Sequence, residues 1–180
     1  TNKLDDSTRL YALPVLNYYY QFNEYTTVWS SNKKWNSLPD TLLAYLQHCE
    51  TDGLFKEDYQ FALLQSSKQS IDKDSLQKNN WRQWARADLI FTDAFIHLIQ
   101  DLKQGRLQPD SSSWKYNQAK YESFFKVYLD KITAGESMSS IIQSLQPSVK
   151  EYTALKKTLP AFINSMDKQK YTYLQYPYKD

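Results

Sequence analysis

The single thiol of the chain, Cys49, directly follows His48. A thiolate beside a histidine base is an arrangement used for nucleophilic catalysis. Neighbouring helix positions point about 100° apart, however, so these two side chains do not face each other. No glycine-rich turn lies nearby to supply amides for an oxyanion. The pattern therefore predicts that Cys49 is a small buried apolar residue rather than a nucleophile.

Candidate metal ligands and cofactor loops are scarce. The two histidines, His48 and His97, lie far apart in the sequence, whereas a structural zinc site usually needs four nitrogen or sulfur ligands. The chain has 3 glycines in 180 residues, too few for the glycine-rich loops that bind nucleotide phosphates. We therefore expect neither a metal nor a cofactor.

Two carboxylates and a hydroxyl lie in the most apolar segment of the chain. Asp88 and Thr92 are four residues apart, which places them on one face of a helix, and Asp93 follows directly. A buried carboxylate must be paired or hydrogen-bonded, because an unsatisfied buried charge is costly. The candidate partners are a helix N-terminus or one of the arginines Arg82, Arg86 and Arg106. The favoured interpretation is a structural polar clamp of Asp88, Thr92, Asp93 and Arg106, and the alternative is a general acid or base.

The elements that position these residues are helices. Hydrophobic spacing predicts an all-α fold, a single orthogonal helical domain of about six or seven helices around a central apolar helix. The central helix is expected over Trp81–Gln104, where apolar residues recur every three or four positions and Gly105 ends the pattern. The other predicted helices cover 14–22, the segment between Ser37 and Gly53, 56–67, 117–134, 137–145 and the segment after Ser148.

Three segments carry more specific expectations. Residues 25–29 favour a β conformation, and residues 66–80 contain so few apolar side chains that they predict a solvated connector or a frayed helix start. The last helix is expected to bend at Pro160, whose ring clashes with the carbonyl four residues back. Its predicted core face consists of Tyr152, Leu155, Leu159, Phe162 and Ile163.

Charge and hydropathy exclude two classes of protein. The 22 basic and 20 acidic residues are interspersed, unlike the basic stripe of a nucleic-acid-binding protein. No window approaches the roughly 18 consecutive apolar residues of a membrane span. The chain opens on Thr1 without an initiator methionine or apolar leader, which suggests a mature or excised fragment. We expect residues 1–168 to form the helical domain and residues 169–180 a tyrosine-rich extended tail or linker toward further domains.

Aromatic residues are numerous, with 15 tyrosines, 8 phenylalanines and 5 tryptophans. Most fall on predicted core stripes, but the tyrosines at 18–20 and in the tail are too dense to be buried on one helix face. Tyrosine combines apolar area with a polar end, which suits a contact surface. The candidate residues of an interdomain surface are Tyr18, Tyr20, Tyr173 and Tyr176.

Four stretches resemble a known family in their order and spacing. They are N-x-Y-x-x-x-W from Asn23, D-G-L-x-x-E-D-Y from Asp52, A-D-L-x-x-T-D-A-F from Ala87 with D-L-x-x-G-R from Asp101, and L-x-P from Leu145 with Y-x-x-L-x-x-x-L from Tyr152. Together they are similar to the N-terminal helical scaffold domain of the large bacterial peptidoglycan L,D-transpeptidases, over residues 15–165.

The resemblance implies a non-catalytic domain of a periplasmic murein L,D-transpeptidase. Such a scaffold would position the catalytic and peptidoglycan-binding-like domains of the same polypeptide for 3→3 crosslinking of stem peptides, with peptidoglycan as a further candidate partner. The family's catalytic cysteine lies in an S-x-G-C motif, whereas Gln47 and His48 precede Cys49 here. No catalytic residue is therefore carried over. The alternative is a free-standing helical glycan- or peptide-binding module that uses exposed aromatic side chains for stacking.

Overall fold

The computed structural model describes residue 4, residues 8–106 and residues 118–167, the side chains of residues 118 and 119 excepted. These residues form eight α-helices, one 3₁₀ helix and one two-stranded sheet, so the fold is mostly α-helical, as predicted. In chain order the elements are α1 (Leu13–Phe22), β1 (Ser30–Ser31), β2 (Lys34–Trp35), α2 (Leu38–Gln47), the 3₁₀ helix (Cys49–Asp52), α3 (Phe61–Lys73), α4 (Ser75–Asn79), α5 (Trp81–Gln104), α6 (Gln118–Thr133), α7 (Met138–Leu145) and α8 (Lys150–Ser165).

The central helix, α5, has the bounds that the sequence predicts. The side chain of Asn80 caps it by accepting a hydrogen bond from the amide of Arg82 at 3.1 Å. Gly105 ends it at a φ of 83°, a conformation that glycine adopts without steric cost. Residues 90–96 are all buried, which covers every side of the helix. Because α1, α3, α4 and α7 pack around it, α5 lies inside the domain.

The main core is built on aromatic side chains. Trp29 is fully buried, and its ring centroid lies 5.4 Å from that of Phe91 and 6.0 Å from that of Phe95. Phe125 adds a fully buried ring from α6. Burying a side chain of this size contributes about 1.5–3 kcal/mol to the free energy of unfolding. The segment that carries Trp29 is therefore held against α5 by packing as well as by hydrogen bonds.

Residues 25–29 are not a strand, although the sequence favours one. The two short strands lie just after them and pair antiparallel, with Ser30 opposite Trp35. The backbone amides of Val28 and Trp29 instead donate to the carboxylate of Asp88 on α5. These amides are used by a side chain and are not free to join a sheet.

Residues 66–80 are helical except for Asp74 and Asn80, so of the two predicted alternatives the solvated connector is wrong. α3 continues to Lys73, and α4 begins after Asp74, whose side chain accepts a hydrogen bond from the Leu76 amide at 2.8 Å. Ile71 is 2% exposed and packs with Trp84 in a small second cluster. One well-placed apolar side chain and a good helix cap are enough to order this polar segment.

α8 forms a helix that continues through Pro160, but its predicted core face is wrong. None of its residues is buried within the described parts of the chain. Leu155 and Phe162 are 69% and 62% exposed, and the other three predicted core residues are half-buried. The main contact of α8 is with the 3₁₀ helix. The spacing of apolar residues identifies the face of α8 that could be buried. It does not show that another element of this domain covers that face.

The described ranges contain no helix that is both long and apolar enough to cross a membrane. The predicted tail, 169–180, lies outside the described residues.

Candidate functional site

The carboxylate of Asp88 is 2% exposed and joins three parts of the domain. Its Oδ1 accepts hydrogen bonds from the amides of Val28 at 3.0 Å and Trp29 at 2.9 Å. Its Oδ2 accepts a hydrogen bond from the hydroxyl of Tyr20 at the end of α1. A single side chain on α5 therefore fixes both α1 and the segment that leads into the sheet.

The hydroxyl of Thr92 extends this network by one turn of α5. It accepts a hydrogen bond from Nε1 of Trp29 at 2.8 Å and lies 2.7 Å from the hydroxyl of Tyr20. The Thr92 hydroxyl donates its own proton to the backbone carbonyl of Asp88 at 2.8 Å, and the Tyr20 hydroxyl donates to the Asp88 carboxylate. Linked hydrogen bonds of this kind strengthen each other because neighbouring bonds polarise one another.

Asp93 holds the other end of α1. Its Oδ2 accepts a hydrogen bond from the amide of Tyr11 at 2.9 Å, and its Oδ1 accepts one from the amide of Ala12 at 2.8 Å. These are the two residues immediately before α1, where backbone amides lack helical partners. The negative charge also complements the positive end of the helix dipole.

The arginines proposed as partners lie elsewhere. Arg106 pairs with Asp58, with Nη2 2.7 Å from Oδ2, and its guanidinium lies over the ring of Phe55. Arg86 donates to the hydroxyl of Thr8 at 2.7 Å. The structure thus brings Asp88 and Thr92 together and places Asp93 at a neighbouring site, but Arg106 is not part of the cluster. Backbone amides and a tyrosine hydroxyl take the place of the expected arginine.

A third buried acid, Asp101, was missed by the sequence reasoning. Its Oδ2 accepts a hydrogen bond from the hydroxyl of Tyr59 at 2.9 Å and lies 3.6 Å from Nε2 of His97. His97 also stacks on the ring of Tyr11 at 3.7 Å. The sequence signal that could have identified Asp101 is its four-residue spacing from His97, which places both side chains on one helix face. With Asp88 and Asp93, Asp101 completes a set that we call the α5 anchors.

The electrostatics of the α5 anchors follow from their burial. Loss of hydration raises the pKa of all three carboxyls, and the hydrogen bonds that they accept lower it only in part. Burial and the nearby Asp88 charge likewise raise the pKa of the Tyr20 hydroxyl well above its usual range. Both carboxylate oxygens of Asp88 and Asp93, and Oδ2 of Asp101, accept hydrogen bonds from the domain itself. The acids therefore connect segments of the fold.

Cys49 is fully buried in the main core. Burial raises the pKa of its thiol to about 12, so the reactive thiolate is scarce near neutral pH. His48 is exposed at the surface. Among the described residues there is also no group of three or more histidine, cysteine or acidic side chains arranged to hold a metal ion.

An uncovered apolar surface lies on α8, where Leu155 and Phe162 are exposed. Together with the 3₁₀ helix it borders a groove of about 490 Å³. The apolar lining consists of Tyr152, Leu155, Leu159 and Phe162, and we call this surface the α8 groove. A groove this apolar on a small domain is a common mark of an interaction site.

A polar cluster fixes one edge of the α8 groove. Nζ of Lys156 lies 2.6 Å from Oδ1 of Asp52, and the hydroxyl of Tyr45 donates to Oδ2 of the same carboxylate at 2.7 Å. Lys156 also donates to the side chain of Gln146 at 2.9 Å. The Asp52 side chain is nearly buried, whereas that of Lys156 is 39% exposed, so the ion pair lies at the surface edge of the groove. These contacts set the position of α8 against the body of the domain.

The four tyrosines predicted to form an interdomain surface differ in where the structure places them. Tyr20 is 7% exposed and belongs to the core, so its assignment to a contact surface is wrong. Tyr18 is half-buried, and its ring lies 6.4 Å from the exposed ring of Phe22. Tyr173 and Tyr176 lie outside the described residues.

The fold described above can be compared with known proteins. No curated protein and no solved structure matches the chain. The Scaffold domain family does match, over residues 14–159, a range that contains all of α1 but its first residue, α2 to α7, the α5 anchors and more than half of α8. Since the match covers most of the sequence, this chain belongs to the Scaffold domain family.

Proposed function

We propose that this domain is the helical scaffold of a murein L,D-transpeptidase and that its α8 groove holds a neighbouring domain of the same polypeptide. The single observation that carries the proposal is the uncovered apolar face of α8, on which Leu155 and Phe162 are 69% and 62% exposed. Apolar side chains at helical spacing gain free energy when a partner removes them from water. A catalytic or peptidoglycan-binding-like domain would supply that partner.

The interior of the domain suits a supporting role. The α5 anchors fix both ends of α1, the approach to the sheet and the loop that carries Tyr59. Buried polar networks whose members are satisfied make a structure rigid and well defined. A rigid body is what a scaffold needs, because a partner is oriented only as well as the surface that holds it.

The transpeptidase context rests on the four sequence stretches that resemble that family, together with membership of the Scaffold domain family. In this proposal the reactive thiol belongs to another part of the polypeptide, which joins stem peptides in the bacterial periplasm. The buried Cys49, with a pKa raised to about 12, then serves packing alone.

The test uses the full-length polypeptide with the double substitution Leu155→Glu and Phe162→Glu. We expect the yield of 3→3 crosslinked muropeptides to fall at least ~10-fold, because two charges would have to be desolvated in the domain contact. The matched control is Leu76→Glu on α4, which is 78% exposed and lies outside the α8 groove. All of these side chains are already exposed, so thermal unfolding of the domain should stay unchanged within about 0.5 kcal/mol.

Two results would contradict the proposal. Crosslinking at the rate of the unsubstituted polypeptide in the double variant would show that the α8 groove does not hold a partner domain. Crosslinking by the 180-residue chain alone, lost on Cys49→Ser, would show that the domain is itself an enzyme.

A further inference from the structure

The apolar side chains of the α8 groove follow a regular spacing. Counted from Tyr152, they lie alternately three and four positions apart, at Leu155, Leu159 and Phe162, and Met166 continues the series just after the helix. Leu155, Phe162 and Met166 are 69%, 62% and 51% exposed. An alternation of three and four is the spacing of a helix that packs along a second helix with interlocking side chains. The α8 groove therefore has the pattern of a surface that binds a helix.

Small residues lie beside this apolar row. On one side, which we call the outer flank, they are Ala154, Thr158, Ala161 and Ser165, and all four are exposed. On the other side Lys156 and Ile163 are half-buried, so that side faces the body of the domain. Packed helix axes lie about 8–10 Å apart, depending on the side chains between them. The small residues of the outer flank leave room for a second helix close to α8.

The polar side chains that line the α8 groove are almost all paired within the domain. Asp52 and Lys156 form an ion pair with 2.6 Å between Oδ1 and Nζ. Thr51 and Thr158 each donate at 3.0 Å to the backbone carbonyl three residues earlier. Among the described residues of the lining, the hydroxyl of Tyr152 is the remaining polar side-chain group. An occupant of the groove therefore gains apolar contact but almost no hydrogen bonds.

A segment that enters such a groove has to satisfy its own backbone. Each unpaired buried amide or carbonyl costs about 1–3 kcal/mol, so an extended segment or a loop would lose free energy at several residues. An α-helix pairs its own amides and carbonyls. Because Asp52 and Lys156 neutralise each other, the contacting face of that helix should be apolar and uncharged.

The size of the surface favours a partner on the same polypeptide. The uncovered parts of Leu155, Leu159, Phe162 and Met166 amount to roughly 400 Å² of mostly apolar area. A stable complex of separate proteins buries about 800 Å² on each partner. A tethered partner needs less area, because the linker gives it an effective concentration in the millimolar range. A second copy of the chain, or an unlinked protein, would bind this surface weakly.

We propose that the α8 groove receives an amphipathic α-helix of the neighbouring domain, packed along α8 with an uncharged apolar face. The contact would extend over about four turns and ~21 Å, from Tyr152 to Met166, at a crossing angle of about 20°. The inference rests on the proposed function, in which a domain of the same polypeptide covers α8. It adds which kind of element of that domain makes the contact.

The test places a photoreactive group along α8 in the full-length polypeptide. The amino acid p-benzoylphenylalanine replaces Glu151, Thr158 or Ser165, one at a time. These residues are seven positions apart on one side of α8, and none of them belongs to the apolar row. The matched controls carry the same group at Lys157 or Asn164, on the opposite side of the helix. All five residues are exposed, so the domain should remain folded.

After irradiation, mass spectrometry identifies the residues captured in the neighbouring domain. We expect a yield from the three outer sites at least ~10-fold above that from the controls, because the width of α8, about 10 Å, separates the two sides. Successive outer sites lie about 10.5 Å apart along α8. A partner helix rises 1.5 Å per residue, so the captured residues should be about seven positions apart, whereas in an extended segment they would be about three positions apart.

Three results would overturn the inference. Captured residues about three positions apart, or scattered over separate loops, would show that a domain covers α8 without a helix in the groove, and the proposed function would stand. Capture from the controls at the yield of the outer sites would place the contact elsewhere on α8. An absence of capture from every site would contradict both proposals, since α8 would then be uncovered in the full-length polypeptide.

Discussion

Replacing Asp88 with alanine should destabilise the domain more than replacing it with asparagine. Alanine leaves the amides of Val28 and Trp29 buried without an acceptor, whereas the Tyr20 hydroxyl can still bond to Thr92. Each unpaired buried amide costs about 1–3 kcal/mol. Relief from burying a carboxylate offsets part of that cost, so we expect a loss of about 3 kcal/mol in the free energy of unfolding.

Asparagine can preserve most of the network. Its carbonyl oxygen takes the place of Oδ1 and accepts from both amides, which lie 3.0 and 2.9 Å away in the native domain. Its NH₂ group can donate to the hydroxyl of Tyr20, which then donates to Thr92 instead. Because asparagine carries no charge to desolvate, we expect a loss of only about 1 kcal/mol.

Urea unfolding followed by tryptophan fluorescence measures these differences, since Trp29 lies against the network and is fully buried. The alanine variant should also lower the melting temperature by about 6–12 °C for a chain of this size. The matched control is Asp72→Ala, which removes an exposed ion pair with Lys68 at 3.0 Å and should cost less than ~0.5 kcal/mol. A loss below ~1 kcal/mol for Asp88→Ala, or equal losses for both Asp88 variants, would refute the reasoning.

Two further predictions concern titration and thiol chemistry. Since burial raises the pKa of Asp88 in the folded state, the folded chain binds more protons than the unfolded chain between that pKa and the unfolded value of about 3.9. The stability of the native chain relative to Asp88→Asn should therefore increase as the pH falls through this window, and a decrease in urea titrations over the same range would contradict the assignment. Burial also raises the pKa of Cys49 to about 12, so a thiol reagent at mildly alkaline pH should label the folded chain at least ~100-fold more slowly than the chain in urea. Equal labelling rates would place Cys49 at the surface.

The parts of the fold that sequence predicts well are those fixed by local signals. α5 has a capping asparagine at one end, a glycine at the other and a nearly continuous apolar middle, so its bounds could be read directly. The burial of Asp88 and Asp93 followed from their place in that helix. Their partners could not be predicted from the sequence, because Val28 and Ala12 lie far away in the chain and donate through the backbone. A backbone donor does not depend on the type of side chain, so the sequence does not indicate it.

The errors concern surfaces whose burial depends on tertiary packing. Tyr20 and Leu155 both lie on apolar helix faces, yet Tyr20 is buried and Leu155 is exposed. The difference arises because α1 lies against α5 and α6, whereas α8 has its main contact with the short 3₁₀ helix. Helical spacing identifies the face, while the elements available to cover it are determined by the whole fold.

The α5 anchors have a consequence for the order in which the chain is made. Asp93 bonds to a residue 81 positions earlier, Asp88 to one 59 positions earlier and Asp101 to one 42 positions earlier. Every segment that these acids hold is thus translated before its acceptor exists. A nascent chain halted before α5 has no carboxylate to accept from these donors, so the N-terminal segments reach their final positions only after α5 has been translated.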